Sequence, residues 1–304
     1  MRAATIREFG DADVLRIDAL PVPAVGAGQV RVRVRVAGVQ HFDARVRAGQ
    51  FPRDLTGPFP IVPGNEFAGT IEAVAAEVPD LAVGDEVLGF STLGGYAEHI
   101  VVPADQVARK PSNMSWEIAG GFSGHAQGAR NAVGQMRVAL GDTVLINSAA
   151  GGLGTIAVQL ARLRGATMVV GTASPRSHDY LRELGAIPVA YGPGLTDRLQ
   201  SIAPGGFDAA LGFEPDGLRA GMTLVHDPAR VVTMVFSDQI AALGVQDWTG
   251  TRTLEGLNEM IGHYQRGDLT VHIRIRHRLD DAAQAHRELE SGHGRGKIVL
   301  LIEP

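Results

Sequence analysis

The 304 residues exceed what one hydrophobic core usually serves and predict two domains. Apolar residues make up 45% and charged residues 20%, and the formal net charge is −5. This is a globular composition that gives no reason to expect nucleic acid or an anionic membrane as a partner. No cysteine is present, which removes disulfides, thiolate catalysis and cysteine-ligated metals.

The N-terminus, Met1 to Gly10, lacks a signal-peptide stretch, and no apolar run approaches the roughly 20 residues of a membrane helix, so a cytoplasmic location is expected. Residues 1 to about 110 show short valine-rich runs broken by Gly and Pro, the pattern of an all-β, barrel-like domain. Within them Val30-Arg31-Val32-Arg33-Val34-Arg35-Val36 resembles a basic stripe. Its alternation predicts a half-buried strand instead, with valines inward and arginines toward water.

From Asp142 onward strands and helices alternate. Thr143–Ile146 reads as a strand buried on both faces. The helix expected over Leu153–Arg164 carries Leu153, Ile156, Ala157, Leu160 and Ala161 on one side. Further strands are expected at Thr167–Val170, Phe207–Phe213 and Arg230–Phe236, giving a parallel, doubly wound sheet. A helix over Thr253–Gln265 precedes Gly267, a helix-terminating residue. The tail reads as strand, helix (Asp281–Glu290) and strand (Lys297–Ile302). The expected division is 1–115, 116–265 and a C-terminal return over 266–304.

Ser148-Ala149-Ala150-Gly151-Gly152-Leu153-Gly154 lies between a buried strand and an amphipathic helix. It is a G-x-G-x-x-G loop with Ala149 in the first position. Gly151 lets the backbone approach a pyrophosphate, and Gly154 lets the helix pack closely on the strand. The helix N-terminus then offers free N–H groups and a positive dipole to phosphates. The next strand ends in Thr172-Ala173-Ser174-Pro175-Arg176-Ser177. An NAD-preferring site would carry Asp or Glu here to bind the ribose hydroxyls. A hydroxyl and a guanidinium instead suit a 2′-phosphate, so NADPH is the expected cofactor. Thr172, Ser174 and Arg176 therefore join Ala149, Ala150, Gly151, Gly152, Leu153 and Gly154 as candidate cofactor residues.

Six blocks now fall in a recognisable order. They are Gly38-Val39-Gln40-His41-Phe42-Asp43, Val62-Pro63-Gly64-Asn65-Glu66-Phe67-Ala68-Gly69, Val83-Gly84-Asp85-Glu86-Val87-Leu88-Gly89, Gly94-Gly95-Tyr96-Ala97-Glu98-His99, the glycine loop, and Arg295-Gly296-Lys297-Ile298-Val299-Leu300. Together they resemble the zinc-free medium-chain reductases: quinone oxidoreductases, zeta-crystallin-like proteins and polyketide enoyl reductases. The resemblance spans the chain. It implies an α/β protein with a GroES-like β-barrel catalytic domain and a Rossmann domain, a homodimer, and a site in the interdomain cleft. Zinc-dependent relatives place Cys where Gln40 stands and His where Asn65 stands, so no metal is expected. Without a Lewis acid, the chemistry left is hydride delivery to an acceptor that is already electrophilic, a quinone or an α,β-unsaturated carbonyl.

The resemblance also nominates individual residues. Gln40 stands where the family commonly has Asn and keeps an amide donor. Phe51 stands where a Tyr is often found. Asp43 matches a family Asp, and an arginine salt bridge that holds its loop is favoured over proton chemistry, since an ionised carboxylate is a poor acid at neutral pH. His41 and Arg47 are further candidates. Gly121–Gly128 departs from the family's Pro and Thr-Ala pattern, with His125 a candidate donor and Gln127 in place of the Thr. Tyr191 matches a Tyr beside the 2′-phosphate, and Phe236 belongs to a nicotinamide-side loop. The leading expectation is an NADPH-dependent quinone or enone reductase. Alternatives are a trans-acting enoyl reductase on a polyketide or other carrier-bound intermediate, and an NADPH-binding sensor or structural protein without turnover.

Overall fold

The computed structural model describes residues 1–51, 53–235, 237–292 and 294–302. The chain forms two compact units. The first comprises Met1–Gly124, Arg252–Gln265 and His272–Pro304, and the second comprises His125–Thr251 and Arg266–Val271.

The first unit opens with an antiparallel ribbon of β1 (Arg2–Thr5) and β2 (Arg16–Ala19). β3 (Gln29–Val39) follows, then the short helices α1 (His41–Arg47) and α2 (Arg53–Thr56). β4 (Glu66–Val74), β5 (Glu86–Phe90), β6 (His99–Pro103), β7 (Val107–Arg109) and α3 (Trp116–Gly120) complete this stretch. The alternation expected in β3 is present: Val30, Val32, Val34 and Val36 are buried, while Arg31 and Arg33 lean on Glu72 at 3.7 and 3.6 Å. Arg35 stacks over the Trp116 ring at 4.6 Å, which shields its stem from water. The apolar face of β3 joins Phe67, Ile71, Val87, Ile100 and Leu300 in one core.

α4 (Ser123–Gln135) leads into the second unit. There β8 (Thr143–Ile146), α5 (Gly152–Leu163), β9 (Met168–Ala173), α6 (His178–Glu183), β10 (Ile187–Ala190) and α7 (Leu195–Ile202) follow. β11 (Ala209–Gly212), α8 (Pro215–Leu224), β12 (Val231–Thr233), α9 (Asp238–Ala241) and β13 (Gln246–Asp247) close the series. The six strands are parallel in the order β10-β9-β8-β11-β12-β13. Numbered from β8 as the first, this is the doubly wound order 3-2-1-4-5-6, whose topological switch lies beside the first strand. Leu145, Val170, Leu199, Phe207, Ala210 and Leu218 are buried between sheet and helices.

The chain then returns to the first unit through α10 (Leu254–Gln265), β14 (Ile273–Arg278), α11 (Ala282–Glu290) and β15 (Lys297–Leu301). β15 pairs antiparallel with β3, from Ile298↔Val39 to Leu301↔Val36, so the tail completes the first sheet. The expected boundary at residue 115 falls at 124 in the structure, and α10 belongs to the first unit rather than the second. Packing explains both shifts. α3 lies on β3 and β4, and Tyr264 of α10 meets the Phe122 ring edge-on at 5.9 Å.

Candidate functional site

In the second unit the sheet presents a cradle at its switch point. Gly151 caps α5 in extended conformation, and Thr155 makes the first helical bond, its N–H donating to the Gly151 carbonyl at 2.9 Å. The N–H groups of Gly152, Leu153 and Gly154 thus stand in the first turn, where a helix has no acceptor of its own for them. A side chain at Gly154 would strike the Ser148 carbonyl oxygen and lie 2.7 Å from Ala149 Cα, so only glycine allows this closeness of helix and loop. Ser148 takes φ +50°, and its N–H donates to Thr172 Oγ1 at 3.0 Å.

Thr172 is only 1% exposed, and its hydroxyl donates onward to Asn147 Oδ1 at 3.3 Å. It anchors the loop from behind rather than facing a ligand. Asn147, wholly buried, also donates to the carbonyls of Leu211 and Gly217. Sequence reasoning missed this residue, whose only signal is an amide at the end of an apolar strand.

Ala173 and Ala190 pair at the ends of β9 and β10, so Ser174 and Tyr191 each begin the segment just past the same sheet edge. Tyr191 is 59% exposed, and Arg176 is exposed with no hydrogen bond or ion pair among the described residues. Asp179 is engaged by Arg182 at 2.6 Å. Ala149 is buried and Ala150 nearly so, which leaves the backbone as what the loop presents. Gln127 is buried in α4, and the next residue, Gly128, approaches Leu153 and Met234. His125 is half-buried in the same helix. Phe236 lies outside the described residues.

The first unit holds Gln40, Asp43 and Arg47 in a buried polar network. Gln40 precedes α1: its N–H donates to Asp43 Oδ2 at 2.9 Å, and the Asp43 N–H donates to the Gln40 carbonyl at 3.0 Å. Tyr96 Oη donates to the same Oδ2 at 3.1 Å. The arginine salt bridge expected for Asp43 is therefore replaced by a tyrosine and a helix-start amide. The assumption that this carboxyl is simply ionised is corrected with it. Complete burial pushes its pKa up to about 7, against the opposing pull of the Gln40 N–H, Lys297 and the Tyr96 hydroxyl.

Arg47, 2% exposed, is the structural clamp instead: it grips Glu290 of α11 with both terminal nitrogens, at 3.1 and 2.5 Å, and donates to the Gly10 carbonyl. Its Nη1 also stands 3.4 Å from His286 Nδ1, while His286 Nε2 is 3.2 Å from Tyr96 Oη. Burial, then the charges of Arg47 and His41, pull the His286 pKa down to about 3. The imidazole is thus neutral at ordinary pH.

Glu66 and Lys297 form a wholly buried ion pair, a feature of the site that sequence reasoning did not single out. The sequence signal was a lysine opening the apolar run Lys297-Ile298-Val299-Leu300. Gly124 N–H donates to Glu66 Oε2 at 2.6 Å. Side chains at Gly38 and Gly124 would collide with Glu66 and with Gln40 Nε2, so two glycines make room for these groups. His41 opens α1 with an exposed side chain; burial of its inner part, then the Lys297 charge, lowers its pKa, and water at the exposed edge screens both effects. Phe51 packs on Phe42 with ring centres 4.6 Å apart and planes tilted by 60°, and Arg45 lies 5.3 Å from its ring.

Residues 26–112 match the family model described as alcohol dehydrogenase GroES-like domain, and residues 184–300 the one described as zinc-binding dehydrogenase. The second description raises the question of a metal. The chain has no thiolate, Gln40 and Asn65 contribute amides, and no group of three or more metal-binding side chains occurs among the described residues. The donor set does not fit zinc. The chain is 33% identical to the synaptic vesicle membrane protein VAT-1 homolog of Mus musculus over 346 residues, covering 100% of this chain and 84% of that protein. It is 34% identical over 292 residues to the polyketide synthase GfsB of Streptomyces halstedii, covering 91% of this chain but only 5% of the synthase. The solved quinone oxidoreductase from Coxiella burnetii superposes with a TM-score of 0.87 at 26% identity, covering 100% of this chain and 99% of that one.

Proposed function

This chain belongs to the medium-chain dehydrogenase/reductase family, on its quinone oxidoreductase side, and we propose that it reduces a quinone or an α,β-unsaturated carbonyl with NADPH. The observation that carries the cofactor half is the sheet edge past β9 and β10. It bears Ser174, Arg176 and Tyr191 and no carboxylate at Ala173. The cradle above α5 fits a pyrophosphate, with three first-turn amides and a Gly154 that admits no side chain.

Bound there, the reduced dinucleotide supplies a hydride. In this reading the pyrophosphate rests on the N–H groups of Gly152, Leu153 and Gly154. Arg176 pairs with the 2′-phosphate, and the exposed Tyr191 ring covers the adenosine end. Gln40 Nε2, which is buried and has no protein acceptor, donates to the oxygen on which negative charge gathers as a conjugated acceptor is reduced. A quinone or enone is the acceptor class because it is electrophilic without a metal. The half-buried Phe42 and Phe51 pair offers such planar, apolar molecules a matching surface.

Steady-state oxidation of NADPH with 1,4-benzoquinone and with simple enones tests this reading. Turnover confined to acyl thioesters would replace it with the carrier-linked enoyl reductase. Tight NADPH binding without turnover on any acceptor would replace it with the sensor. The phosphate assignment has its own check: Arg176→Ala is expected to raise the KM for NADPH at least tenfold, about 1.4 kcal/mol. The KM for NADH should change little, and equal effects on the two cofactors would refute the assignment.

A further inference from the structure

The hydrogen-bond directions around His286 are set by one residue. Arg47 has only donors, so His286 Nδ1 accepts from it and the ring proton sits on Nε2. That N–H donates to Tyr96 Oη, and the Tyr96 hydroxyl donates to Asp43 Oδ2. Arg47, His286 and Tyr96 thus form a polarised chain whose donors all point at one carboxyl, drawn from α1, α11 and the segment before β6.

The other carboxyl oxygen, Asp43 Oδ1, is buried without a hydrogen-bond partner, as is Gln40 Nε2. The charged and titratable groups acting on Asp43 are Tyr96, Lys297 from β15, Glu66 from β4 and Arg252 ahead of α10; His286 and Arg47 stand behind Tyr96, and His41 opens α1, the helix of Asp43, with an exposed side chain.

We propose that Asp43 is a protonation-dependent positioning residue acting through Gln40, and that the Tyr96–His286 chain sets the pH at which it switches. This deepens the reductase reading and rests on it. With Asp43 neutral, the Gln40 amide, whose own backbone N–H rests on Asp43 Oδ2 at 2.9 Å, meets an acceptor oxygen gathering negative charge with no carboxylate charge in the first turn of the helix it precedes. With Asp43 ionised, Oδ1 carries charge in a dry site with no hydrogen-bond donor of its own, and opposes that build-up. The hydride acceptor takes its proton separately, so no proton is assigned to pass through Asp43.

The sign follows from the chain. Tyr96 donates to the ionised form and lowers the pKa of Asp43, so removing its hydroxyl moves the switch to higher pH. On the intact, cofactor-free protein, infrared difference spectra should show a buried carboxyl titrating near pH 7. The band should be absent in Asp43→Asn and shifted upward by about one pH unit in Tyr96→Phe. In turnover with benzoquinone, the wild-type kcat/KM, which reports groups of the free protein, should fall about thirtyfold between about pH 6 and pH 8.5, as expected for a carboxyl titrating near 7 whose ionised form is inactive. The ratio of the two rates should approach one in Asp43→Asn, and the falling limb should move upward in Tyr96→Phe.

A carboxyl band indifferent to Asp43→Asn, or a limb unmoved by Tyr96→Phe, would overturn the proposal. Absence of turnover with every acceptor would remove the reductase reading. The infrared titration would still decide whether Asp43 and Tyr96 are coupled as stated. If Asp43→Asn does not fold, the shift in Tyr96→Phe decides.

Discussion

Gly154→Val should weaken NADPH binding at least a hundredfold, about 2.7 kcal/mol. The reason lies in the protein before any ligand arrives. A side chain there drives into the Ser148 carbonyl and to within 2.7 Å of Ala149 Cα, both backbone, so neither can swing aside as a flexible side chain would. Either the loop shifts away from the first turn of α5 or the helix lifts off β8. Both scatter the three amides proposed to meet the pyrophosphate. Gly151→Ala provides the contrast. Its Cβ would sit 3.2 Å from the Ser148 carbonyl oxygen, a contact that a shift of a few tenths of an ångström relieves. That variant should unfold in urea near the wild-type midpoint and lose affinity only through its new methyl facing the phosphates. Gly154→Val should lose stability and affinity together. Equal binding by Gly154→Val and wild type would show that the cradle is not the phosphate site.

The second large effect concerns the first unit. Glu66 and Lys297 have side chains 0% and 1% exposed. Lys297→Met leaves the Glu66 carboxylate in the interior without its contacting countercharge, and breaking such a pair costs about 3–5 kcal/mol. Glu66→Gln combined with Lys297→Met removes both charges and keeps an oxygen to accept the Gly124 N–H. It should recover most of the loss. Urea midpoints of the two single variants and the double variant close the cycle. A double variant as unstable as Lys297→Met alone would mean that the loss arises from packing rather than charge.

The second unit was largely legible in the sequence because its signals are local. Strand, glycine loop, helix and next strand follow within some thirty residues, and each position's residue type has a single backbone reason. The boundaries were less legible. α10 carries an ordinary apolar stripe, and nothing in its 12 residues says which core it buries against. Thr172 read as a cofactor contact because it stands at the right strand end, yet the pleat turns its hydroxyl inward to Asn147 and Ser148. The Asp43 network was not legible at all. Tyr96 lies 53 residues from Asp43, and His286 lies 190 residues from Tyr96. Each is an unremarkable residue until the C-terminal return lays α11 against α1. Asp43 therefore read as an ordinary ionised carboxylate, since only the fold shows that water cannot reach it.

The burial of Lys297 has a practical corollary. The chain has two lysines, and the other, Lys110, is also enclosed, with a side chain 5% exposed and bonded to the carbonyls of Pro111 and Met114. No lysine amine stands at the surface, and the outward positive charge is carried by guanidinium groups. Acylating reagents that attack neutral amines should therefore leave the side chains of the native protein untouched. Modification at residue 297 becomes a clock for the moments when the first sheet comes apart.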